Sequence, residues 1–155
     1  MTGPGADLRE LTAYHEAGHA VAALALGRPV AWVSVRPDRK FLGVCAFGKG
    51  VFRPSEDWVE REAVIALAGP AAEAGFTGEL DWAAAAHDHD YAFGLARGRG
   101  GDDRRADRLV KRWFAKADHL LGRDDAWAAV ERIAAELVRV EEISGRAARH
   151  LFGRK

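Results

Sequence analysis

The sequence predicts a mainly α-helical domain with a small β-hairpin, an α+β class. Three observations predict it. Most of the chain falls into amphipathic or alanine-rich stretches bounded by helix-start and helix-stop residues. Only two short runs, Val30–Val35 and Leu42–Phe47, have the β-favouring composition of strands. At 155 residues the chain suits a single domain, residues 1–155, around one core, and it contains no internal repeat.

The elements follow in order. Asp7 and Glu10 have the spacing of a capping box, which starts a helix near residue 8 with Leu8, Leu11, Val21, Leu24 and Leu26 as apolar positions. Gly27 caps that helix and Pro29 stops it. The strand Val30–Val35, a turn at Pro37–Lys40 and the strand Leu42–Phe47 then form the hairpin. Ser55 caps a second helix, which Gly69-Pro70 is expected to kink or end because proline cannot donate to the helical ladder. Residues 82–96 are alanine-rich and helical in their second half, and the glycines of 97–101 make a flexible loop. Asp103–Leu121 and Asp125–Val140 are two amphipathic helices, and Ser144 caps a short last turn ending near Phe152.

Composition removes several function classes. With 48% hydrophobic and 30% charged residues the chain is not disordered. Lys+Arg and Asp+Glu both number 23, so no overall field attracts nucleic acid or anionic lipid. Cys45 is the single cysteine, which excludes an intrachain disulfide and a cysteine-based zinc cluster and suits a reducing cytoplasm. Residues 1–6 are read as a flexible N-terminus without the features of a signal peptide. The longest apolar run, Ala20–Leu26, is far shorter than the ~20 residues that span a bilayer. The expectation is a cytoplasmic protein with no membrane segment and no nucleic-acid partner.

Chemistry concentrates at His15-Glu16-Ala17-Gly18-His19, an HExxH pattern inside the first helix. Residues four apart share a helix face, so His15 and His19 offer two imidazoles to one metal ion. Catalytic zinc keeps three protein ligands and one open position for water, and Glu16, beside the first ligand, is placed to take that water's proton during attack on a carbonyl. Leu11, Ala22 and Leu26 share this face. Two histidines on an apolar stripe are costly unless a metal or carboxylate partners them. The competing reading is a pair of half-buried structural histidines.

The stretch from Thr12 to Val21, Thr-Ala-Tyr-His-Glu-Ala-Gly-His-Ala-Val, resembles the zinc helix of the FtsH family of membrane-bound, ATP-dependent zinc proteases. Val33–Pro37 with Leu42–Val44 is similar to that family's strand pair, and Leu67–Glu73 to a second block in which the family usually has arginine at the place of Pro70. Ala134–Gly145 is similar to the helix and turn that close the peptidase domain. The resemblance implies an aspartate as third zinc ligand, at the start of a helix. Asp90 matches that place best, with Asp88, His87 and His89 as adjacent alternatives. It also implies that Glu73 orients a ligand histidine by hydrogen bond, the alternative being a surface carboxylate.

The family's ATPase module and transmembrane segments find no counterpart in these 155 residues, which contain no GxxxxGK[ST] phosphate loop. The implied function is therefore an ATP-independent zinc metallopeptidase cleaving unstructured peptides or proteins, with Glu16 as general base and Zn2+ on His15, His19 and Asp90. The alternative is a metal-binding interaction module without proteolysis, or one that depends on a separate ATPase partner. Homo-oligomerisation is a further implication, because the family's peptidase domains form rings.

Overall fold

The computed structural model describes residues 7–49 and 57–154. The expected flexible residues 1–6 and the expected cap Ser55 lie outside the described residues. The chain order is α1 (Leu8–Ala25), β1 (Val30–Ser34), β2 (Val44–Phe47), α2 (Trp58–Thr77), α3 (Ala86–Arg97), α4 (Asp103–Leu121), α5 (Asp124–Val140), β3 (Glu142–Ser144) and α6 (Gly145–Phe152). The expected α+β class is what the structure has. No helix among the described residues is long and apolar enough to cross a membrane.

Helix α1 starts where its cap predicts, with the Asp7 carboxylate accepting from the Arg9 N–H. It stops at Gly27, whose φ of 80° lets the Arg28 N–H reach back to the Ala23 carbonyl at 2.7 Å. The predicted hairpin forms and gains a strand. The sheet order is β2-β1-β3, all antiparallel, with Val33 opposite both Cys45 and Ile143. These three side chains form the buried row of the sheet, whereas Trp32 faces outward. Strand β3 was not expected. It has only three residues, too few to show an alternating pattern, and it exists because α5 ends in a reversal at Glu141 (φ 72°) that lays the chain along β1.

Helix α2 departs further from expectation. It runs unbroken through Gly69 and Pro70 to Thr77. Pro70 leaves the Ala66 carbonyl without its helical donor and costs about 3 kcal/mol. Val64, Ile65 and Leu67 are at most 5% exposed, and burying each contributes about 1.5–3 kcal/mol, so packing outweighs the local penalty. That packing is central to the fold. Helix α1 lies against α2 and α5, α2 also against α3 and α4, and α3 against α4. Gly18 makes the α1–α2 approach close: a Cβ there would stand 2.5 Å from both the Ala68 carbonyl oxygen and the Ala72 Cβ. Two helices pressed this tightly bring the HExxH face of α1 onto the middle of α2.

Candidate metal centre

The α1–α2 contact sets the histidine rings. A Cβ on Gly69 would lie 2.4 Å from His19 Nε2 and 2.8 Å from His15 Nε2, so only glycine leaves room for both imidazoles against α2. Each ring is then fixed from behind. The Nδ1–H of His15 donates to Glu73 Oε2 at 3.1 Å, and the Nδ1–H of His19 donates to the Ile65 carbonyl at 2.8 Å. Both acceptors belong to α2. With Nδ1 used as donor, each neutral ring presents a bare Nε2 lone pair on its other side. The resemblance implied this orienting role for Glu73, and the geometry supplies it.

Helix α3 brings a carboxylate to those two nitrogens. Asp88 Oδ2 lies 2.8 Å from His15 Nε2 and 3.4 Å from His19 Nε2. The three ligand atoms all fall within 4.8 Å of one another. Asp90 was expected in this place, and in the structure Asp88 is the aspartate that faces the two histidines. Two residues along a helix turn the side chain by about 200°, so both aspartates cannot face α1. Asp90 points outward, with its side chain 83% exposed and Oδ1 3.7 Å from His89 Nδ1. His89 packs its ring on Trp82, and His87 sits over Phe41 at 5.1 Å between centroids, so neither joins the cluster. The sequence did carry the deciding signal. Asp88, Ala92 and Ala96 recur every fourth position, and the two alanines are 0% and 1% exposed, which marks this row as the inward face of α3.

Three acceptor atoms that face one another, two imidazole lone pairs and a carboxylate oxygen, need a cation between them. Protons are one such cation. Burial pushes His15 down, but hydrogen bonds to Asp88 and Glu73 overcome it and raise the ring to about 10. His19 is also raised, with burial opposing and the Asp88 carboxylate prevailing. Asp88 is pushed up by burial, yet the two imidazoles hold it well below the usual carboxylate range. A divalent metal ion would satisfy the same three atoms without any proton. Two imidazole nitrogens, each backed by a fixed partner, and one carboxylate oxygen fit a zinc-type ion.

Glu16 completes the site. It is 7% exposed, and its side chain forms no hydrogen bond with the other described residues. Its Cγ would be 3.1 Å from a Cβ on Gly43, so the loop entering β2 closes over it, and Cys45 lies behind. Burial raises the Glu16 carboxyl, opposed by the charges of His19 and His15. A carboxylate raised from its ordinary value and free of structural partners suits a proton acceptor. Tyr14, before the first histidine, stacks on Phe76 at 3.9 Å and serves packing. His119 and His150 are exposed and lie outside the cluster.

Set against known proteins, the chain matches no protein-family model, and no curated protein matches it.

Proposed function

We propose that the chain is an ATP-independent zinc metallopeptidase that cleaves unstructured peptide chains, the activity implied by the resemblance of its α1 to the FtsH-family zinc helix. One observation carries the reading: His15 Nε2, His19 Nε2 and Asp88 Oδ2 converge on one point beside a buried Glu16 that has no hydrogen-bond partner among the described residues. A structural histidine pair would be complete with Asp88 alone and would have no use for a second, unpaired carboxylate next to it. A zinc ion held by these three ligands would supply Lewis acidity for hydrolysis. The protein's own contributions are then distinct. Glu73 and the Ile65 carbonyl fix the two rings so that Nε2 faces the centre. Glu16 accepts a proton at its carboxylate and returns it to the leaving amine. The loop carrying Gly43 shields that carboxylate from bulk water.

The test combines metal analysis with cleavage. The purified chain should hold about one zinc and cleave members of a fluorogenic peptide library, with folded proteins resistant. Glu16→Gln should keep the metal and lose activity by at least about 100-fold. If zinc is bound but no peptide is cleaved, and Glu16→Gln behaves as the parent does, the centre belongs to a metal-binding module instead.

A further inference from the structure

We propose that the cleft between the end of α3 and the first half of α4 binds a small ligand carrying a chain of phosphoryl groups. The cleft encloses about 530 Å³ and is lined by Arg99, Arg105, Arg108, Leu109 and Arg112. Four of its five described lining residues are therefore arginines, in a chain whose formal net charge is zero. Arg105, Arg108 and Arg112 follow the i, i+3, i+7 rhythm that places side chains along one helix face, and Arg99 enters from the loop after α3.

Among the described residues the neighbouring acids engage Arg99 alone of the four arginines. Asp57 is engaged by Arg99 at the rim, Asp103 pairs with Arg97 at 3.2 Å, and Asp107 lines a separate cleft with Trp82 and His89. Arg105, Arg108 and Arg112 form no ion pair with the other described residues. Three unpaired guanidinium groups gathered around one concavity repel one another, and an anion bound among them removes that cost. The planar guanidinium fork donates to two oxygens of one phosphate, so three forks match several phosphates held close together. A single peptide carboxylate would occupy only one fork. The volume lies within the range of small-molecule pockets. Among the described residues the lining has none of the aromatic rings on which single-stranded nucleic acid stacks. A compact oligophosphate is the ligand chemistry these features share.

The cleft is independent of the metal centre. It shares no residue with it and lies at the opposite end of α3, about 14 Å along the helix axis from Asp88. Equilibrium dialysis of radiolabelled tripolyphosphate against the full chain, with EDTA present so that no bound metal contributes, tests the proposal. One tripolyphosphate should bind per chain, competed poorly by single-stranded RNA and by oligoglutamate of equal charge. The double substitution Arg108→Ser with Arg112→Ser should weaken binding at least about tenfold while leaving the melting temperature in place, since both side chains are exposed. His15→Ala should bind as the parent does, so the result stands whatever becomes of the peptidase reading. Unchanged affinity in the double variant overturns the proposal, as does tighter binding of either competitor.

Discussion

Asp88 Oδ2 stands 2.8 Å from His15 Nε2, although the two residues are 73 positions apart in the chain. The contact joins α3 to α1 across the face of α2, and it decides which of two neighbouring aspartates completes the cluster. Asp88→Asn should reduce zinc affinity by more than about 100-fold, because it removes a charged ligand and not merely an orienting group. Asp90→Asn should change affinity less than about twofold, since that carboxylate faces solvent. Zinc titration of the two variants against a competing chelator reads both. Equal losses, or a larger loss for Asp90→Asn, would remove Asp88 from the ligand set.

Glu73 acts one step further out. Its Oε2 accepts from His15 Nδ1 at 3.1 Å and so fixes which ring nitrogen is bare. Glu73→Gln keeps the length of the side chain but removes its charge, and its amide can present a donor where an acceptor is needed. Zinc affinity should fall about 10- to 100-fold. A variant that binds zinc as tightly as the parent would show that the ring needs no such support.

The metal-free protein should carry a pH-dependent stabilisation at this site. His15 is raised to about 10 from an ordinary value near 6.5, so its contribution is fully present below about pH 6.5 and is lost as pH rises through about 10. Asp88 is lowered, so its share is present above its ordinary range near 4 and lost as pH falls below it. Glu16, Glu73 and His19 are the other titrating groups facing the pair. Thermal melts in EDTA should therefore decline from pH 7 toward pH 10.5, and His15→Gln should flatten that decline. Zinc added at pH 7 should release at least one proton per ion, since it takes the place of the His15 proton and of any proton on His19. Calorimetry in buffers of different ionisation enthalpy counts that proton, and a count of zero would contradict the His15 assignment.

The parts of this fold that could be read in advance were those governed by local rules. The α1 cap at Asp7, the Gly27 stop and the full span Asp103–Leu121 follow from capping and helical period, and the structure has them. The HExxH spacing likewise put both histidines on one face before any tertiary contact was known. Elements that depend on distant packing were illegible. Pro70 continues a helix because burial of its neighbours outweighs its penalty, and β3 exists only because β1 is there to pair with it. Asp90 was preferred over Asp88 by position along the chain, whereas the alanine row at 92 and 96 shows which face of α3 turns inward. The arginines of α4 appear scattered among acids in sequence and gather only when the helix forms and Asp57 and Asp103 turn to other partners.

Gly18 and Gly69 separate stability from metal binding in one experiment. Both sit at the α1–α2 contact, but an added methyl meets different neighbours. At residue 18 it would lie 2.5 Å from the Ala68 carbonyl oxygen, which is backbone and cannot give way without parting the helices. Gly18→Ala should therefore destabilise the fold by about 1–3 kcal/mol, despite the better helix propensity of alanine. At residue 69 the methyl meets the Nε2 edges of His19 and His15, which are side-chain ends. The rings can swing aside only by leaving Glu73, the Ile65 carbonyl and Asp88. Gly69→Ala should thus melt within a few degrees of the parent in EDTA, because higher helix propensity offsets the lost contacts by up to about 1 kcal/mol. Its zinc affinity should nevertheless fall by at least about 10-fold, as for loss of an orienting partner. Parallel melts and zinc titrations of the two variants check the division. A Gly69→Ala protein that binds zinc normally would mean that the rings do not occupy the space against α2 from which the metal site is built.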